Sequence, residues 1–195
     1  MALDQHIIDR WHKSEILLLA GSAGSFKMIF QAVRAFTPKL NKAVLIVIHR
    51  KRNYQSEIEE TFAANIKLPF HEVSDKDKIN RNNIYIAPAN YHTLIEKGEY
   101  FGLDVSDDVW FSKPSIDVTF ESAGDVYCDR CTAVLLSGAN QDGAQGLLKL
   151  RNCGALTIVQ DPDDAEMSQM PDAAIHINAA EYMLTADEML ALFKT

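Results

Sequence analysis

Residues 16–36, ILLLAGSAGSFKMIFQAVRAF, constrain the fold most, because an apolar run breaks at a glycine-rich turn and restarts with helical periodicity. Ile16 to Leu19 is apolar throughout and too short for a helix, the pattern of a parallel strand buried on both faces. Phe26, Ile29, Phe30, Val33 and Phe36 then recur at helical spacing. Gly21-Ser22-Ala23-Gly24 permits a sharp turn between the two, projecting the Ser22 hydroxyl from the carboxyl edge of a sheet beside free helix N–H groups. Such a turn serves a nucleophile, a phosphate, or neither. It matches the G-x-S-x-G nucleophile elbow apart from Ala20 at the first glycine, whereas a dinucleotide turn would need G-x-G spacing and a glycine in place of Phe26.

The remaining pattern alternates strand and helix. Ala43 to Ile48 and Ala133 to Leu136 are further buried strands, Pro69–Val73 and Ile84–Ala87 shorter ones, and Leu156–Gln160 the last parallel one. Helices are expected over Gln55–Asn65, from Ser115 through Tyr127, from Ala144 to a stop at Gly154, from Pro171 through Ile175, and over Thr185–Phe193. His92–Ile95 and Tyr100–Leu103 flank Glu96-Lys97-Gly98-Glu99 and read as a hairpin. The expected fold is therefore α/β, a mostly parallel, doubly wound sheet with helices on both faces and an antiparallel hairpin insertion.

With 195 residues, 47% of them hydrophobic, the chain has material for one core, expected over residues 16–195 behind a lead-in at 1–15 whose Ile7, Ile8 and Trp11 can pack on it. A formal net charge of −8 argues against a nucleic-acid partner. No apolar run approaches the roughly 20 residues of a membrane span, and residues 1–15 lack signal-peptide character, so no membrane insertion and a cytoplasmic location are expected. Three cysteines suit a reducing compartment, and Cys128-Asp129-Arg130-Cys131 lacks a second ligand pair, so no metal or cofactor is expected.

Ligands of open parallel sheets bind at the carboxyl ends of the strands, which singles out Ser22, His49 and Asp142, each just beyond a buried strand. A serine hydroxyl needs a base to take its proton, a neutral imidazole can do so near pH 7, and a carboxylate can orient that imidazole. The N–H groups of Ala23 and Gly24 point to where an oxyanion would form. Other roles stay open: Asp142 can cap the helix that begins near Ala144, His49 can be a solvated strand end, and His92 is a rival histidine better suited to shaping the pocket.

Several segments together resemble one family. They are Ala20-Gly21-Ser22-Ala23-Gly24, Ile84-Tyr85-Ile86-Ala87-Pro88 with His92, Lys113-Pro114-Ser115-Ile116-Asp117-Val118 with Phe120-Glu121-Ser122-Ala123, Leu136-Ser137-Gly138 through Asp142-Gly143-Ala144 and Gly146, and Gln160 with Met170-Pro171. In order and spacing they resemble the bacterial chemotaxis protein-glutamate methylesterases, the CheB family, over nearly the whole chain. The resemblance implies hydrolysis of glutamyl methyl esters on the cytoplasmic helices of methyl-accepting chemoreceptors, with glutamine deamidation in some members. It makes Ser22 the nucleophile, His49 its base and Asp142 the orienting carboxylate, with Ala139, Asn140, His92 and Met170 contributing to the oxyanion or substrate site.

This chain departs from the family pattern at three places. The family usually has a small residue and then Gly-Gly after its nucleophile, whereas here Gly24 is followed by Ser25 and Phe26, Ala23 replaces a frequent threonine and so removes a hydroxyl near the histidine, and the loop Gly138-Ala139-Asn140-Gln141-Asp142-Gly143 has fewer glycines. The fifteen residues before the first strand cannot hold a receiver domain, so a stand-alone catalytic domain governed by a separate regulatory protein is expected. The basic run Arg50-Lys51-Arg52 could steer an acidic receptor helix. The alternatives are a catalytically impaired signalling relative and a nucleotide-binding module whose Gly21 to Gly24 turn cradles phosphate.

Overall fold

The computed structural model describes residues 3–49, 62 and 64–195. The helix expected over Gln55–Asn65 and the basic run Arg50–Arg52 fall wholly or mostly outside them. The strands are β1 (Ile16–Gly21), β2 (Ala43–Ile48), β3 (Phe70–Glu72), β4 (Ile84–Ile86), β5 (His92–Glu96), β6 (Tyr100–Asp104), β7 (Cys131–Leu135), β8 (Leu156–Gln160) and β9 (Tyr182–Leu184). The helices are α1 (Gln5–Lys13), α2 (Phe26–Ala35), α3 (Ile116–Gly124), α4 (Ala144–Asn152), α5 (Gln169–His176) and α6 (Ala186–Leu192).

A seven-stranded sheet runs in the order β3-β4-β2-β1-β7-β8-β9, and every neighbouring pair is parallel. β5 and β6 form the expected antiparallel hairpin as a separate sheet, with His92 opposite Asp104. Successive side chains of a strand point to opposite faces, and here each face has its own core. Leu18, Ala20, Leu45, Val47 and Leu135 pack with Ile116 and Phe120 of α3, Leu147 and Leu150 of α4, and Phe101 of the hairpin. Leu17, Leu19, Val44, Ile46 and Val134 pack on the other face with Ile29 and Val33 of α2 and Met189 and Leu192 of α6. Burying each of the larger side chains among these is worth about 1.5–3 kcal/mol, which explains why continuous apolar runs become the central strands.

The lead-in is a helix that Asp4 caps by accepting from the His6 N–H at 3.0 Å, and it buries Ile7 and Trp11 in the second core. Trp11 lies 5.2 Å from the Phe193 ring, so both ends of the described chain close the same face. β9, three residues with Met183 half exposed, was not expected from the pattern, because so short an edge strand has no alternation to detect.

The chain winds outward from β1 in one direction through β2 and β4, then returns to lay β7, β8 and β9 on the other side. β1 is thus the switch point, where loops leaving adjacent strands part and open a crevice. Below this crevice α3 and α4 meet at Gly146, where an added Cβ would lie 2.6 Å from Phe120 Cβ and 2.8 Å from the Asp117 carbonyl oxygen. An exposed helical Gly→Ala exchange usually stabilises by about 0.5–1 kcal/mol. Gly146→Ala is expected instead to destabilise the protein by about 1–3 kcal/mol, the usual cost of overpacking, as read by urea unfolding. A stability equal to or above wild type would show that α3 and α4 are not in van der Waals contact there.

Candidate active site

β2 and β7 flank β1 in register, Gly21 opposite Ile48 and Ala20 opposite Leu135, so the loops carrying Ser22, His49 and Asp142 leave the sheet side by side. Backbone bonds tie them together: the Ser22 N–H donates to the Ser137 carbonyl at 2.9 Å and the His49 N–H to the Gly21 carbonyl at 3.4 Å. Gly24 has φ +82°, and a Cβ there would stand 2.6 Å from both Ser137 Oγ and Glu166 Cβ, so the turn requires glycine for conformation and for space. Ser137 Oγ donates to the Ala23 carbonyl at 2.7 Å, and Ser25 Oγ to the Ser22 carbonyl at 2.7 Å. Ser25 therefore fits the turn as a buried, satisfied hydroxyl, and Phe26 turns away to pack on Phe30 and Phe62. Among the described residues, the Ala23 and Gly24 N–H groups donate to no acceptor.

The Asp142 carboxylate is fully buried and accepts four hydrogen bonds. Oδ1 receives Ser115 Oγ at 2.9 Å and the Asp117 N–H at 2.9 Å, while Oδ2 receives the Ile116 N–H at 2.7 Å and His49 Nε2 at 2.7 Å. Three of these donors belong to the start of α3, where unpaired N–H groups and the helix dipole favour negative charge. Asp142 thus caps a helix, but α3 across the crevice and not its own α4, whose N-cap is Gly143. The fourth donor is the imidazole, so one carboxylate is shared between a helix start and His49.

His49 and Ser22 face a cavity of about 820 Å³ also lined by Ala23, Ser112, Ala139 and Asn140. Asn140 braces the loop: its Oδ1 accepts from the Asp142 N–H at 3.2 Å and its Nδ2 donates to the Trp110 carbonyl at 3.3 Å. His92 and Met170 do not line this cavity. His92 is buried; its Nδ1 accepts the Ser115 N–H at 3.1 Å and its Nε2 donates to the Asp107 carbonyl at 2.9 Å, so it supports the start of α3 from beneath. Met170 is buried under Gly138, where an added Cβ would fall 2.5 Å from Met170 Cε. It shapes the Ala139 loop, as does Gln160, whose Oε1 accepts the Ser137 N–H at 3.0 Å.

Sequence reasoning missed the segment that roofs the cavity. Trp110 and Phe111 both adopt left-handed backbone (φ +50° and +59°), and Phe111 is 97% exposed. The apolar cluster Val109-Trp110-Phe111, flanked by Ser106-Asp107-Asp108 and Ser112, was the available signal. A second cavity of about 840 Å³ shares Trp110, Phe111, Ala139 and Asn140 with the first, so the aromatic pair stands between two adjoining hollows. Cys128 and Cys131 do not act as a pair here: Cys128 Sγ donates to the Gly124 carbonyl at 3.0 Å, and Cys131 is buried as the first residue of β7.

The CheB methylesterase family model matches residues 17–193. This chain belongs to the CheB methylesterase family. A Rhodospirillum rubrum relative named protein-glutamate methylesterase/protein-glutamine glutaminase 2 is 30% identical over 180 residues, which cover 91% of this chain and 49% of that one. A Leptospira interrogans protein, whose name gives the same two activities provisionally, is 36% identical over 179 residues, covering 92% and 93% of the two chains. The crystal structure of the Thermotoga maritima CheB methylesterase catalytic domain superposes with a TM-score of 0.84 at 23% identity, over 93% of this chain and 98% of that one, and so shares its fold. Both the α/β architecture and the family expected from the sequence are therefore established.

In this CheB-family domain a second buried carboxylate, Asp117, lies directly behind the first. Its Oδ1 accepts the Gly146 N–H at 2.8 Å and its Oδ2 the Trp110 indole N–H at 3.1 Å, linking the roof to α4. Burial pushes the Asp117 carboxyl up to about 6, with the nearby Asp142 charge adding to the rise and the Gly146 N–H opposing it. Between pH 4 and 6 the folded state thus holds this proton more tightly than the unfolded chain, so the group's contribution to stability falls as pH rises through that window. Asp117→Asn removes this dependence. The stability of the variant relative to wild type is expected to improve by about 2 kcal/mol between pH 4.5 and pH 7, read by urea unfolding at each pH. A difference that stays constant with pH would contradict the raised value.

Proposed function

We propose that this domain is a protein-glutamate methylesterase that hydrolyses γ-methyl esters of glutamate on chemoreceptor cytoplasmic helices, by acyl transfer through Ser22. The observation that carries this reading is the convergence of Ser22, Ala23 and the Asp142-bound imidazole of His49 on one cavity, with the Ala23 and Gly24 N–H groups donating to no acceptor among the described residues. Asp142 only accepts, so His49 Nε2 carries the proton of the neutral ring and Nδ1 is the basic nitrogen. Ser22 Oγ attacks the ester carbonyl as His49 Nδ1 takes its proton, and the oxyanion forms against the Ala23 and Gly24 N–H groups. Collapse breaks the bond to the methoxy oxygen, which leaves as methanol with the proton from Nδ1. Water then attacks the acyl-serine, His49 again accepts and returns a proton, and glutamate and free Ser22 are released. With ammonia as the leaving group the same steps deamidate glutamine, the second activity in the names of the relatives.

The reaction needs no metal or cofactor, and its place is the cytoplasm, where the substrate helices lie. The nucleotide-binding alternative has less support, since the Glu166 side chain packs directly against Gly24 in the turn that would cradle phosphate. The test is methanol release from methylated receptor. Wild type is expected to release it, and Ser22→Ala to lose about 10⁶-fold in kcat, as removal of a serine nucleophile does. No release by either folded protein would overturn the esterase and favour a non-catalytic signalling role.

A further inference from the structure

The basic nitrogen of His49 is already occupied, and not by the nucleophile. Ser112 Oγ lies 3.2 Å from His49 Nδ1. Because Nε2–H is committed to Asp142, the neutral ring presents only a lone pair at Nδ1, and Ser112 must be the donor. Ser22 Oγ, on the wall of the same cavity, makes no hydrogen bond among the described residues.

The placement of Ser112 is built. Ser112 N–H donates to the Val109 carbonyl at 2.9 Å and Val109 N–H returns a bond to the Ser112 carbonyl at 3.2 Å, closing a tight turn around Trp110 and Phe111. Both central residues sit at positive φ without being glycine, a strained conformation that persists only where the surroundings enforce it. Here the Trp110 indole bond to Asp117 and the Asn140 bond to the Trp110 carbonyl supply that enforcement. Ser112 Oγ also lies 3.4 Å from the Trp110 carbonyl, so its proton has a second, weaker acceptor.

We propose that Ser112 is a positioning residue of the esterase, holding His49 Nδ1 toward the cavity in both protonation states of the ring. A hydroxyl can do this because it both donates and accepts. Before attack, Ser112 O–H donates to the Nδ1 lone pair. Once the proton from Ser22 has arrived, Nδ1–H donates to Ser112 Oγ and the hydroxyl proton turns to the Trp110 carbonyl. The long 3.2 Å contact is weak enough to yield when substrate brings Ser22 Oγ onto Nδ1. Ser112 thereby supplies, from the roof, the hydroxyl beside the histidine that Ala23 cannot.

The proposal rests on Ser22 and His49 acting as nucleophile and base, and the test separates the two. Wild type, Ser112→Ala and Ser112→Thr are compared on a soluble glutamyl γ-methyl ester peptide, with thermal unfolding confirming that each folds. Ser112→Ala is expected to lower kcat about tenfold with KM unchanged, the effect of one lost hydrogen bond to a group that becomes charged, and Ser112→Thr to restore it within about twofold. In ¹⁵N-histidine spectra of the same proteins, the His49 Nδ1 resonance should move in Ser112→Ala while the Nε2–H signal stays. Reaction with a fluorophosphonate, mapped by peptide mass spectrometry, should modify Ser22 in all three. An unchanged kcat and Nδ1 resonance in Ser112→Ala, or a change in KM alone, would overturn the positioning role and leave the esterase reading intact. Modification at Ser112 in place of Ser22, or neither modification nor hydrolysis by wild type, would overturn the esterase reading and this inference with it.

Discussion

The structure depends most on the bonds made by the Asp142 carboxylate. A buried, unpaired carboxylate would cost several kcal/mol, and Asp142 avoids this by accepting from the Ser115 hydroxyl, two N–H groups at the start of α3 and the His49 imidazole. Each partner gains as well. The helix start finds an acceptor for its unpaired N–H groups, and the imidazole is held in one tautomer with Nδ1 directed into the cavity. Supporting contacts extend in depth, with His92 beneath Ser115 and Asp117 between Gly146 and Trp110, so the site is continuous with the packing of α3 on α4.

The sheet topology explains why this arrangement arises where it does. β1 lies between β2 and β7, so its loop leaves the sheet beside both neighbours at the switch point. Ser22 there lies beside the loop that carries His49 on one side, and the His49 imidazole in turn bonds the Asp142 carboxylate from the other. The departures from the usual family pattern are accommodated locally. Ser25 bonds back to the Ser22 carbonyl, and the Ala23 carbonyl is held by Ser137 while its N–H donates to no acceptor among the described residues. The turn is altered in its side chains and not in its backbone hydrogen bonding to the neighbouring loop.

The central strands were legible because apolar runs such as Ile16–Leu19 and Ala43–Ile48 have no better place than a sheet buried on both faces. Ser22, His49 and Asp142 could be gathered by one rule, that polar residues after buried strands share an edge. The rest depended on tertiary contacts that no local pattern encodes. Asp142 was readable as a cap, but its helix, α3, begins 25 to 27 residues upstream in the chain, so the partner was not. His92 and Met170 were expected at the pocket and instead lie under its supports. Ser112 was invisible, because a serine in a polar loop has no periodicity, and only folding of the Trp110–Phe111 turn brings it to His49.

The account turns on a carboxylate–imidazole bond that leaves Nδ1 as the basic nitrogen. The most direct measurement is the proton spectrum of the protein with ¹⁵N-labelled histidine, wild type against Asp142→Asn. The account predicts a slowly exchanging, strongly downfield proton on His49 Nε2 in wild type and loss of that signal in the variant. A wild-type proton on Nδ1, or a Nε2–H signal unchanged by Asp142→Asn, would contradict it.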